Sequence, residues 1–210
     1  MSFNHQSIVL SLAVAAALGL AACSSPSTPP AGDTVAPPAT VAAPSAPVAT
    51  GVQATAPAAQ VVLKPTQGHD ANGTLTLRAE GDGVRISGEL AGLKPGSEHG
   101  FHVHENGDCS APDATSAGGH FNPAGQAHGS MDADPHHVGD MPNQLANAQG
   151  VADVDVLVHD MSLTPGSEHD VIGRALVVHE QPDDYQSQPS GNAGARIACG
   201  VIVAAAAPQG

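Results

Sequence analysis

The sequence predicts an all-β domain preceded by a leader that does not fold, and three observations carry the prediction. From Val61 onward, apolar and polar residues alternate over short runs at 61–64, 74–79, 84–90, 100–105, 151–158, 171–178 and 197–204. Between the runs lie turn signals such as Gly81-Asp82-Gly83, Lys94-Pro95-Gly96 and Thr164-Pro165-Gly166. No stretch sustains a helical period. With no Trp and only 2% aromatic residues, a core must be packed small and tight from Val, Leu, Ile and Ala, which suits strands better than a helical bundle.

Taken in order, residues 1–22 read as a secretory signal. The apolar run over 8–20 is too short to span a bilayer comfortably, although no Lys or Arg precedes it. Leu20-Ala21-Ala22-Cys23 looks like a bacterial lipobox, in which cleavage leaves Cys23 as the lipid-bearing first residue. The alternative is an ordinary secreted chain cut near Ala22 with a spare thiol. The count of three cysteines favours the lipobox, because setting one aside for lipid leaves a pair. Residues 23–60 are rich in Pro, Ala, Thr and Ser and nearly uncharged, so they read as a tether able to reach on the order of 100 Å. That leaves 61–210 as one folded domain with one core. Its localisation is then outside the cytoplasm, as a periplasmic lipoprotein held to a membrane through Cys23. The formal net charge of −14, carried almost entirely after Val61, argues against nucleic acid or an anionic lipid surface as the main partner.

The chemistry is concentrated in Gly100-Phe101-His102-Val103-His104-Glu105. On a strand, His102 and His104 share one face while Phe101 and Val103 pack behind them, which makes half of a metal clamp. Imidazole suits copper, zinc, iron or nickel, so the pair alone names no metal, and two polar residues on a solvated face remain the plainer reading. Histidine recurs in Gly118-Gly119-His120-Phe121-Asn122-Pro123, Ala127-His128-Gly129, His137-Val138-Gly139-Asp140 and Val177-Val178-His179-Glu180. The stretch 106–150 is too long for an ordinary connection and reads as functional. Together with Gly191-Asn192-Ala193-Gly194-Ala195-Arg196-Ile197-Ala198-Cys199-Gly200-Val201, these segments resemble the copper/zinc superoxide dismutase family in wording, order and spacing, over roughly 68–203.

The resemblance implies a flattened eight-stranded antiparallel Greek-key barrel, an immunoglobulin-like sandwich with long functional loops. It implies copper on His102, His104, His120 and His179, and zinc on His120, His128, His137 and Asp140, one ion of each per subunit, with His120 bridging them. Three imidazoles and a carboxylate make a closed structural zinc site, and four imidazoles suit Cu(II). Zinc would order the 106–150 loop, and the glycines beside His120 and His128 leave room for its turns. His136 competes with His137, which is preferred because Val138-Gly139-Asp140 follows it; His136 reads as solvated. Asp183 matches the carboxylate that links a copper histidine to a zinc histidine and so fixes their rings. Cys109 and Cys199 match the family disulfide, worth about 4 to 5 kcal/mol in the chain-entropy model. His99 and His169 match structural positions, while His69 and His159 match none.

The implied reaction converts superoxide to dioxygen and hydrogen peroxide, with His120 supplying a proton and Arg196 docking the anion beside copper. The resemblance allows a homodimer. Where many relatives carry a lysine in 180–195, this chain has none, and Glu180, Asp183 and Asp184 make the segment acidic. Attraction of the substrate then falls to Arg196, with Lys64, Lys94, Arg78 or Arg85 helping only where the fold brings them to the rim. The alternative is a tethered copper/zinc-binding or metal-buffering protein with little catalysis, which would need neither Arg196 nor a shared histidine.

Overall fold

The computed structural model describes residues 59–205, so the signal segment, Cys23 and nearly all of the tether lie outside the described residues. The strands are β1 (Ala59–Pro65), β2 (Asn72–Glu80), β3 (Gly83–Ala91), β4 (Glu98–His99), β5 (Phe101–His104), β6 (Gln144–Leu145), β7 (Ala152–Val158), β8 (Ala175–His179) and β9 (Arg196–Ala204). A curled antiparallel sheet runs β5-β8-β9-β1-β2-β3-β7, and β4 pairs with β6. Only Gly100 separates β4 from β5; its N–H goes to the Gln181 carbonyl and its carbonyl takes the His179 N–H, each at 2.8 Å. Counting β4 and β5 as one strand, the nine segments make the eight expected from the resemblance.

Alternation in sequence becomes alternation in burial. Ala59, Val61 and Leu63 of β1, Leu75 and Leu77 of β2, Val84 and Ile86 of β3 and Val154 of β7 point inward with Ile202 and Phe101 to form one aliphatic core. Ala59 and Gln60, read as the end of the tether, belong instead to the sheet, because Ala59 is paired with both Leu77 and Ala204. The run at 171–178 is a strand only from Ala175. Val171 is fully buried, but it opens a turn closed by Arg174 N–H to its carbonyl at 3.2 Å, so its apolar character reports core packing rather than strand.

A second, smaller cluster of Ala114, Ala117, Ala175, Val177 and Cys199 lies beneath the Cys109–Cys199 disulfide. That bond ties residues 90 apart and fastens the start of the long loop to β9. The 3₁₀ turn Thr115–Ala117 sits on this cluster.

Candidate metal centre

Strand register brings the histidines together. On one side of β5, His102 is opposite Val177 and His104 opposite Ala175, so β8 carries His179 to the end of the same ladder, where it faces Arg196 of β9. On the other side, the long loop returns twice to β5: His120 pairs with His104, and Asp140 with His102. The expected packing of Phe101 and Val103 is present, both fully buried behind the histidines.

Two donor sets result. The nitrogens of His102, His104, His120 and His179 form one, and those of His120, His128 and His137 with an Asp140 oxygen form the other; within each set the donor atoms all lie within 4.8 Å. All seven side chains are buried. His120 belongs to both sets.

The hydrogen-bond partners fix which nitrogen faces inward. His104 Nδ1 donates to the Gly118 carbonyl at 3.0 Å and His179 Nδ1 to the Gly194 carbonyl at 3.3 Å. Their Nε2 atoms therefore carry lone pairs and face each other at 3.3 Å, an arrangement that calls for a cation between them. Asp183 takes His102 Nε2–H at 2.7 Å on one oxygen and His128 Nε2–H at 2.9 Å on the other. His137 Nε2 donates to the Gln126 carbonyl at 3.1 Å. His102 Nδ1, His120 Nε2, His128 Nδ1 and His137 Nδ1 are consequently buried without a hydrogen-bond partner among the described residues. Orphaned buried nitrogens are costly, and each of these four points into one of the two donor sets.

Asp140 anchors the loop-borne set. Its Oδ1 lies 2.8 Å from His120 Nδ1, 3.0 Å from His128 Nδ1 and 3.2 Å from His137 Nδ1, and its Oδ2 accepts the N–H groups of Gly129 and His137. Burial would raise its carboxyl, but the surrounding imidazoles outweigh burial and hold it well below the usual carboxylate range. Burial and the neighbouring histidines keep His104 and His179 neutral, and burial brings His120 down to about 4. His128 goes the other way: burial lowers it, yet Asp140 and Asp183 on either side push it up to about 9. The donor types fit zinc in the loop-borne set and a histidine-loving redox metal in the other.

Arg196 is half-buried, with Nη1 donating to the Ala114 carbonyl at 2.6 Å and Nη2 to the Gly118 carbonyl at 2.5 Å. Gly118 sits at φ +73° and presents one oxygen both to Arg196 and to His104. Gly129 differs: a side chain there would crowd the Pro135 carbonyl. Arg196 lines an open cleft of about 710 Å³ together with His104, His120, His137 and His179. The charged residues on its wall are Arg196 and Glu105; Lys64, Lys94, Arg78 and Arg85 are not on it, and Arg85 is tied to Glu80 and Asp155.

His136 stays out of both sets, but it is not simply solvated: it is bonded to Asp160 at 2.9 Å and to the Ala133 carbonyl at 2.6 Å. His99 is buried and donates to the His179 carbonyl at 2.8 Å. His69 and His169 join neither set, and His159 pairs with Asp82 on the surface. Two residues that the sequence did not single out hold the loops. Asn143 clasps the backbone of Asp183, donating to its carbonyl at 2.9 Å and accepting its N–H at 2.8 Å, and Gln188 clasps that of His128. Their partners lie 40 and 60 residues away, beyond the reach of any local pattern.

The family model for copper/zinc superoxide dismutase matches residues 71–202. The chain is 45% identical over 133 residues to "Superoxide dismutase [Cu-Zn] 2" of Aquifex aeolicus, covering 62% of this chain and 78% of that one. It is 43% identical over 128 residues to "Superoxide dismutase-like protein YojM" of Bacillus subtilis, covering 60% and 65%. Among solved structures, a double mutant of a SOD-like protein from Bacillus subtilis superposes with a TM-score of 0.63 at 41% identity, over 69% of this chain and 96% of the other. With a family match over most of the chain and the two donor sets in place, this protein belongs to the copper/zinc superoxide dismutase family.

Proposed function

We propose that this protein disproportionates superoxide, and that His102, His104, His120 and His179 would hold the copper that does so. Zinc would be held by His120, His128, His137 and Asp140. One observation carries the reading: His120 alone turns a nitrogen toward each set, and the remaining nitrogens of both sets are aimed inward by fixed partners. The chemistry that copper supplies in this nest is alternate one-electron acceptance and donation, turning two superoxide anions and two protons into dioxygen and hydrogen peroxide.

The protein's own groups do the rest. Arg196 keeps its charge, and with two N–H groups committed to loop carbonyls its remaining donors are available to an anion. His120 Nε2 is buried without a hydrogen-bond partner among the described residues and its ring lines the cleft, so it is the atom that would hold a proton within reach of an anion there. Asp183 locks the tautomers of one ring from each set through a single carboxylate. Arg196 is opposed by Glu105 on the same wall, so attraction of the anion rests on the guanidinium alone. A metal buffer would have no use for that arginine or for a shared imidazole.

Copper and zinc per chain, measured with superoxide decay by pulse radiolysis on the same sample, test the proposal. One ion of each with turnover, lost in His120→Ala, supports it; both ions bound without turnover leaves the buffering reading. We also infer export and a lipid anchor at Cys23. The disulfide uses the other two cysteines and persists in oxidising compartments. Labelling with a fatty-acid analogue, abolished by Cys23→Ser, is the expected result.

A further inference from the structure

One amide side chain joins the loop-borne set to the wall of the cleft. Gln188 Oε1 accepts the His128 N–H at 2.9 Å, and Gln188 Nε2 donates to the His128 carbonyl at 2.9 Å. Both backbone polar groups of this histidine are thereby taken by one side chain. The same segment reaches the ring, where Asp183 Oδ1 takes Nε2–H. Gly191 is squeezed between the two: at φ +63°, any Cβ there would collide with Asp183 and His128. Meanwhile Gln188, Pro189 and Ser190 line the same cleft as Arg196.

We propose that Gln188 is a positioning residue that couples the zinc ligand His128 to the lip of the substrate cleft. The inference rests on the reading of His128 as a zinc ligand. The chain around His128 belongs to no helix or strand, so its backbone groups would otherwise turn to water. A primary amide offers an acceptor and a donor in one plane and so grips a residue's N–H and C=O as a neighbouring strand would. A metal that fixes His128 thus fixes residues 186–190, and the lip in return holds the imidazole at its angle. The lip position also means that a side chain at 188 is seen by an arriving anion.

Three variants separate these roles. In Gln188→Ala, zinc release is expected to quicken about tenfold, as for other groups that orient a ligand. The visible absorption of Co(II) placed in the zinc set should shift, and the copper-set spectrum should stay as it is. Gln188→Lys cannot accept the His128 N–H, so it should release zinc as fast as the alanine variant while raising the low-salt rate with superoxide. Ser187→Ala, on the same segment but bonded to Asp184 and Asn192, should leave zinc release unchanged. Wild type binding one zinc, with Gln188→Ala matching it in release and Co(II) spectrum, overturns the coupling. Wild type binding no zinc overturns the reading of the site on which the coupling rests.

Discussion

The two donor sets meet at one imidazole but are held in opposite ways. His102, His104 and His179 stand on β5 and β8, where antiparallel register places them and an aliphatic core backs them. His128, His137 and Asp140 stand on a loop without regular structure, placed by a carboxylate, by a backbone acceptor and by the Gln188 amide clasp from a distant segment. A ladder fixes a ligand before any ion arrives, whereas a loop of polar contacts shares that task with the ion. Sheet donors therefore give a rigid nest, and loop donors give an arrangement that ordering by metal can complete.

Metal removal sharpens the contrast most. Chelation should withdraw binding free energy on the order of 10 kcal/mol from the loop. Amide exchange at His128, Gly129 and Asp140 should then accelerate by orders of magnitude while Val177, held between β5 and β9, keeps its protection. Equal acceleration in loop and ladder would break the distinction.

Next in size is the disulfide. Cys109→Ser with Cys199→Ser should lose about 4 kcal/mol in denaturant unfolding, because the tie spans 90 residues. It should also loosen the Ala114 and Gly118 carbonyls on Arg196, so that turnover falls more than copper content does.

Acid separates the sets through their titration. In the metal-free protein His120 protonates at about 4, while the unfolded chain takes that proton near 6.5. Its stability contribution is therefore complete above pH 6.5 and is lost as pH falls toward 4, at about 1.4 kcal/mol per pH unit for each such proton. His104 and His179 act in the same direction, and Asp140 and Asp183, both lowered, extend the loss below the carboxylate range. His128 opposes: raised to about 9, it stabilises below 6.5 and loses that contribution as pH rises through 9. Between 6.5 and 4 it is charged in both states and leaves the slope alone. Flat stability over that window contradicts the assignment of neutral, inward-facing imidazoles.

Smaller effects follow at the shared carboxylate and the arginine. Asp183→Ala should weaken metal binding about 10- to 100-fold, more at zinc, where His128 has only loop contacts to hold it. Arg196→Gln should flatten the ionic-strength dependence of catalysis, since the cleft wall holds no other Lys or Arg. An unchanged salt slope would place the attraction elsewhere.

The sequence by itself determined the all-β class and the inward face of most strands, because side-chain type and period-two spacing are local properties; the seven donor residues and the cysteine pair came from the resemblance of its motifs to a family, not from spacing alone. It misjudged the strand start near Val171, where burial imitates alternation, and it passed over the two-residue strands β4 and β6, too short to show a period. Only the tertiary structure decided which nitrogen of each imidazole faces its set, since that choice depends on backbone carbonyls at Gly118, Gln126 and Gly194, which carry no mark in the sequence. It also decided that Asn143 and Gln188 hold the loops and that Arg196 is the one cation on the cleft wall among the described residues, because hydrogen bonds across 40 to 82 residues arise from how the chain returns on itself.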